Sequence, residues 1–183
     1  MKRLLFALTL TCLPFVGFAQ KPLEFSTIIR QDSLSAQTLY ESTRNWFAET
    51  YVNNKAVVRD DNPGKQITGK GSTPFPASMM YSSIDGFIEY LIDIQFRDGR
   101  LKFTMRNFSH SAGHKALYDN NMGVLVDSLP SNLSTIGITG QRKASYKYYF
   151  KHGLPLCKET FDELVKSLTA FLNKREAAAK EDW

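Results

Sequence analysis

From Ile88 to Phe96 every even position is apolar, namely Ile88, Tyr90, Ile92, Ile94 and Phe96. Glu89, Asp93, Gln95 and Arg97 take the odd positions, with Leu91 the one exception. Alternation of this length fits a strand with one face in a core and the other in water; on a helix the same residues would scatter around the circumference. Asp98-Gly99 follows, a pair that favours positive φ in a tight turn, and Leu101, Phe103 and Met105 resume the pattern. The segment predicts a β-hairpin. An antiparallel sheet built on it needs helices on one face only.

The rest of the chain supplies partners for that hairpin. Residues 23–30 read as a strand, with Phe25 and the β-branched Thr27, Ile28 and Ile29. A helix is expected over 35–51, with Ser33 or Ser35 as N-cap and Leu39, Thr43, Trp46, Phe47 and Thr50 at helical spacing. A strand over 56–59, turn chemistry at Asp60-Asp61-Asn62-Pro63-Gly64 and a partner strand over 65–72 follow. Residues 110–142 are irregular, with a short helix expected at 114–119 and an apolar piece over 124–129. Tyr146, Tyr148 and Phe150 alternate like a further strand. Phe161, Leu164, Val165, Leu168, Phe171 and Leu172 then form one stripe of a closing helix. The expected fold is α+β: a curved antiparallel sheet in the order β-α-β-β-β-β, an irregular insertion, β, C-terminal α, with two helices on one face.

The first nineteen residues read as a secretory signal. Lys2 and Arg3 precede an apolar run from Leu4 to Phe18, and Gly17 and Ala19 are the small residues of a cleavage site. The run continues past Cys12, which argues against lipid attachment there. Release after Ala19 would leave a single domain over 20–175 with a frayed helical tail over 176–183. Two of the 23 basic residues and none of the 18 acidic ones lie in the leader, so the released chain carries a net charge of +3. That is mild for a nucleic-acid binder. Cys157 would be its one cysteine, which excludes an internal disulfide and suits buried packing.

Motif by motif, structural readings prevail. Gly64-Lys65-Gln66-Ile67-Thr68-Gly69-Lys70 resembles a phosphate-binding loop, but such a loop must open a helix, and Pro74 and Pro76 oppose one. His110 and His114 have the spacing of metal ligands on one helical turn, yet Gly113 intervenes and Asp119 is the only nearby carboxylate. The carboxylate pairs Asp60-Asp61 and Glu181-Asp182 fall in a turn and in the tail. No Gly-x-Ser-x-Gly elbow is present. No catalytic residue, cofactor or metal site is expected. Arg100, Lys102, Thr104 and Arg106 occupy the polar side of the hairpin, and Lys143, Lys147, Tyr149 and Lys151 the polar side of the expected later strand. If these strands share a sheet, Arg100, Lys102, Arg106, Lys143, Lys147 and Lys151 form a basic binding surface; alternatively, lysines there guard a sheet edge against aggregation.

Glu24-Phe25-Ser26 with Ile28-Ile29, Trp46-Phe47, Tyr51, Ile67-Thr68-Gly69-Lys70-Gly71, Phe96-Arg97-Asp98-Gly99-Arg100, Phe103 and Phe108 together resemble a family of exported bacterial domains of unknown function with a TBP-like fold. The resemblance spans about residues 23–108. It implies a curved antiparallel sheet backed by helices and a bacterial envelope setting, in the periplasm or at the cell surface, and brings no catalytic residues with it. The chain is therefore expected to be a non-enzymatic binding or protein-interaction module. Its partner would be another envelope protein or an anionic envelope ligand, without nucleic acid and without a membrane span after cleavage. A small hydrolase with its site at 110–142, or a purely structural envelope component, is the alternative.

Overall fold

The computed structural model describes residues 21–51, 58–113, 120–140 and 142–181. The expected signal at 1–19, the short helix at 114–119 and Asp182 lie outside the described residues, as do residues 56 and 57 of the strand expected at 56–59 and the side chain of Glu181.

The hairpin forms as its alternation requires and is longer than expected: β4 runs over Gly86–Arg97 and β5 over Arg100–Ala112. Around it lie β1 (Glu24–Arg30), β2 (Val58–Asn62) and β3 (Gln66–Phe75), in the order β1-β5-β4-β3-β2. All four neighbouring pairs are antiparallel. The short β6 (Gly123–Val124) brings the irregular region back onto the far end of β5. Pro74 lies opposite Phe87 in β3, beyond Gly69, the last residue of β3 that β2 pairs with among the described residues. The Gly64–Lys70 segment is thus a turn and a strand, not a phosphate loop.

Among the described residues, two α-helices cover one face. Helix α1 (Ala36–Thr50) starts at Ser35, whose hydroxyl accepts the Thr38 N–H at 3.1 Å. Helix α2 (Arg142–Glu181) is where the structure corrects the sequence reading. The strand expected around Tyr146, Tyr148 and Phe150 is instead its opening turns. Tyr146, Tyr149, Gly153 and Cys157 are buried at helical spacing, whereas Tyr148 and Phe150 are only half-buried. The helix passes through Pro155. It crosses α1 where Trp46 Nε1 donates to Ser167 Oγ at 3.1 Å, and Gln31 Nε2 donates to Asn173 Oδ1 at 2.7 Å nearby.

The core lies between this layer and the sheet. Ile88, Ile92, Ile94, Phe103 and Met105 are fully buried against Leu39, Phe47, Leu168 and Leu172. Phe161 of α2 packs its ring on Phe25 and Phe103. Among the described residues no helix is long and apolar enough to cross a membrane.

Candidate functional site

Because α1 and α2 lie on the Phe103 side, side chains on the opposite side of each strand form a face that is helix-free among the described residues. Cross-strand register arranges it in rows. One row is Ser26, Thr104, Asp93 and Thr68; the next, toward the β4–β5 turn, is Ile28, Lys102, Gln95 and Gln66; the last is Arg30, Arg100 and Arg97. Beyond the first row, on the other side, lie Glu24, Arg106, Leu91 and Lys70.

Most of this face is internally satisfied. Ser26 and Thr104 share a hydroxyl–hydroxyl bond of 3.0 Å. Asp93 accepts from Thr68 Oγ1 at 2.8 Å and is ion-paired with Arg106. The Asp93 hydrogen bond and charge hold the Arg106 guanidinium above its ordinary pKa. Lys70 pairs with Glu89 at 2.6 Å. Arg106 is therefore already spoken for.

The turn end is different. Arg30, Arg97, Arg100 and Lys102 are exposed and form no ion pair among the described residues. Ile28 stands beside them, 54% exposed, and a hollow of about 370 Å³ is lined by Ile28, Gln95, Arg97, Arg100, Leu101 and Lys102. Asp98, the acidic residue within this stretch, turns its carboxylate away to accept the Ala36 N–H at 2.8 Å.

The six cations expected to form one surface thus separate. Arg100 and Lys102 sit together at the hollow, and Arg106 is locked to Asp93. Lys143, Lys147 and Lys151 lie exposed along the first turns of α2, on the layer across the sheet. Tyr149, expected beside them, is buried against Phe75 and His110. Arg30 and Arg97 were not anticipated as site residues. Arg97 was legible as an outward hairpin position, but Arg30 joins only through the pairing of β1 with β5, which no local pattern announces.

The remaining candidates serve the fold. His110 is 3% exposed, with Nε2 against the Ile84 carbonyl at 2.8 Å and Nδ1 accepting the Met122 N–H at 3.2 Å. Both ring nitrogens are spent on backbone, so the imidazole is neutral and has no lone pair for a metal. Burial lowers its pKa. Cys157 is fully buried, and its thiol is pushed up to about 12 by desolvation, which leaves it a packing group. Asp61 accepts from Tyr40 Oη at 2.7 Å and lies 3.5 Å from Arg44.

Residues 25–111, which comprise the β1–β5 sheet and α1, match the family described as a domain of unknown function (DUF4468) with TBP-like fold. A TBP-like protein from Parabacteroides distasonis has a similar structure, with a TM-score of 0.55 at 13% identity. The match covers 80% of this chain and 92% of that one. A DUF4468 family protein from Bacteroides ovatus is similar at a TM-score of 0.50 and 12% identity, over 80% of this chain and 86% of that one. At such identity the likeness concerns the fold alone. No curated protein matches the sequence. The helix-backed antiparallel sheet is in keeping with the family match, and over residues 25–111 the chain is similar to the family of domains of unknown function with a TBP-like fold.

Proposed function

We propose that the protein is exported and works as a non-enzymatic interaction module of the cell envelope, docking its ligand or partner on the helix-free face of the sheet. The supporting observation is the turn end of that face. Its cations are exposed and form no ion pair among the described residues around the half-exposed Ile28, while the neighbouring rows satisfy one another. A cationic rim around an apolar contact is suited to recognition and does not require a chemical step. The leader-like composition of residues 1–19 supports the compartment.

Expression of the full chain in a bacterial host, with cell fractionation and intact-mass measurement, tests the export part. A product in the envelope fraction that begins near Gln20 supports it, and a full-length cytoplasmic product overturns it. Crosslinking in the same cells tests the docking part. Adducts lost in an Ile28→Glu/Lys102→Glu variant support the face as the docking site, and adducts unchanged by it overturn that assignment.

A further inference from the structure

Arg100 stands directly opposite Arg30 across β1–β5 and directly opposite Arg97 across β4–β5. Neighbouring strands are about 4.8 Å apart, so three guanidinium stems emerge from a span of about 10 Å on one face. Like charges directly opposite each other on a sheet destabilise it. Edge protection does not account for the arrangement, because Arg100 and Lys102 lie on β5 and are paired on both sides, by β1 and by β4. Elsewhere this face places opposite charges together, as in Asp93–Arg106 and Lys70–Glu89.

We propose that the Arg30–Arg100–Arg97 row, with Lys102, is a binding site for a phosphate-bearing ligand whose apolar substituent lies on Ile28. The assignment rests on the interaction-module reading and names what that module holds. A carboxylate carries one charge and fills one guanidinium fork. A phosphomonoester or diphosphate carries more charge and enough acceptor oxygens to engage several forks together, which is the chemistry three adjacent arginines match. Lys102 adds a mobile point charge from the next row, directly opposite both Ile28 and Gln95. Gln95 contributes an amide to the same hollow. Ile28, otherwise an exposed apolar side chain on a polar face, then has a role: it covers the alkyl portion next to the phosphate. The hollow is open to solvent on the helix-free side, so a headgroup at a lipid surface and a soluble phosphate ester both reach it.

The test uses purified protein with hexyl phosphate as the probe, against hexanoate and sodium chloride at matched ionic strength. Hexyl phosphate raises the melting temperature, and calorimetric titration gives saturable binding that hexanoate does not equal. Arg97→Gln and Arg100→Gln each weaken it by about ten- to a hundredfold, the scale of a lost charged hydrogen bond. In the ligand-free state Arg100→Gln melts higher than the parent by about 1–3 °C, because like-charge repulsion is relieved. A merely structural arginine would not combine lost binding with gained stability. Ile28→Ser weakens hexyl phosphate but leaves inorganic pyrophosphate binding unchanged. Sedimentation with phosphatidylcholine vesicles containing phosphatidic acid assigns the source: cosedimentation marks a lipid headgroup, and hexyl phosphate binding without it marks a soluble ester. Binding equal for hexanoate and hexyl phosphate, or undiminished in an Arg97→Gln/Arg100→Gln protein, overturns the proposal. Because the purified protein is assayed alone, that result would leave the crosslinking test of the module standing.

Discussion

The Asp98 carboxylate accepts the Ala36 backbone N–H at 2.8 Å, so the turn of the central hairpin caps a helix on the other layer. Of the two turn residues, only Gly99 takes positive φ, at 74°. The Gly99 N–H donates to Leu34 O at 2.9 Å, and Gly99 O accepts from Gln31 N–H at 2.8 Å. Turn and helix start are therefore one hydrogen-bonded unit. Asp98→Ala frees a first-turn N–H that Ser35 does not reach, and should cost about 1 kcal/mol in chemical denaturation. Asp98→Asn keeps an acceptor and should lose less. Equal losses in the two variants would show that the acceptor oxygen is not what matters.

His110 predicts an acid sensitivity. Burial lowers its pKa in the folded state, so the folded protein binds fewer protons at this site than the unfolded chain. The contribution of His110 is fully present above the unfolded value of about 6.5. It is lost progressively as pH falls from there toward the lowered folded value. Protonation of Nδ1 would also set two donors, the ring and Met122 N–H, against each other. The denaturation midpoint of the parent should fall more steeply than that of His110→Gln between pH 7 and pH 5. Parallel profiles would mean that the ring is free to protonate in place.

The same histidine shows how far a sequence pattern reaches. Leu101, Phe103 and Met105 face the core on odd numbers, but Phe108 and His110 do so on even ones. The switch occurs at a bulge, where Leu91 pairs with Arg106 and Glu89 with Ser109, and Asn107 takes φ of 58°. Asparagine is among the residues that tolerate this conformation, so the bulge had a signal in retrospect. The hairpin, α1 and the closing helix were legible because their periods extend over many residues. Tyr146-Lys147-Tyr148-Tyr149-Phe150 was not. Aromatics favour strands, and five residues fit both a period of two and one helical turn. Burial of Tyr149 and Cys157 against a sheet formed far away in sequence decides for helix. The candidate site was half legible. Outward Arg97, Arg100 and Lys102 follow from alternation, whereas their convergence with Arg30 and Ile28 depends on strand register.

Asp93 and Arg106 should be coupled energetically. The Asp93 side chain is 11% exposed and that of Arg106 is 42% exposed, so the carboxylate is the partner that suffers if left alone. Arg106→Met keeps the apolar stem but removes the charge, and should cost about 1–2 kcal/mol, scaled down because the guanidinium is still wetted. Asp93→Asn in that background should cost less than it does alone. Additive losses in a double-mutant cycle would mean the ion pair contributes nothing of its own.

Gly71 is required by contact. A Cβ built there would lie 2.3 Å from Tyr90 Cε2 and 2.8 Å from its hydroxyl oxygen. These residues are directly paired across β3 and β4, so the Tyr90 ring lies across the Gly71 backbone, with its other neighbours including Phe108 at a ring separation of 5.9 Å. Tyr90 is 4% exposed and cannot swing into solvent without uncovering the core. Gly71→Ala should therefore cost about 1–3 kcal/mol through overpacking. Tyr90→Leu alone should also destabilise, since it empties part of a buried site. Combined, the two should cost less than their sum, because the leucine lacks the ring atoms that the new methyl meets. A strictly additive pair would place the role of Gly71 in the backbone and not under the ring.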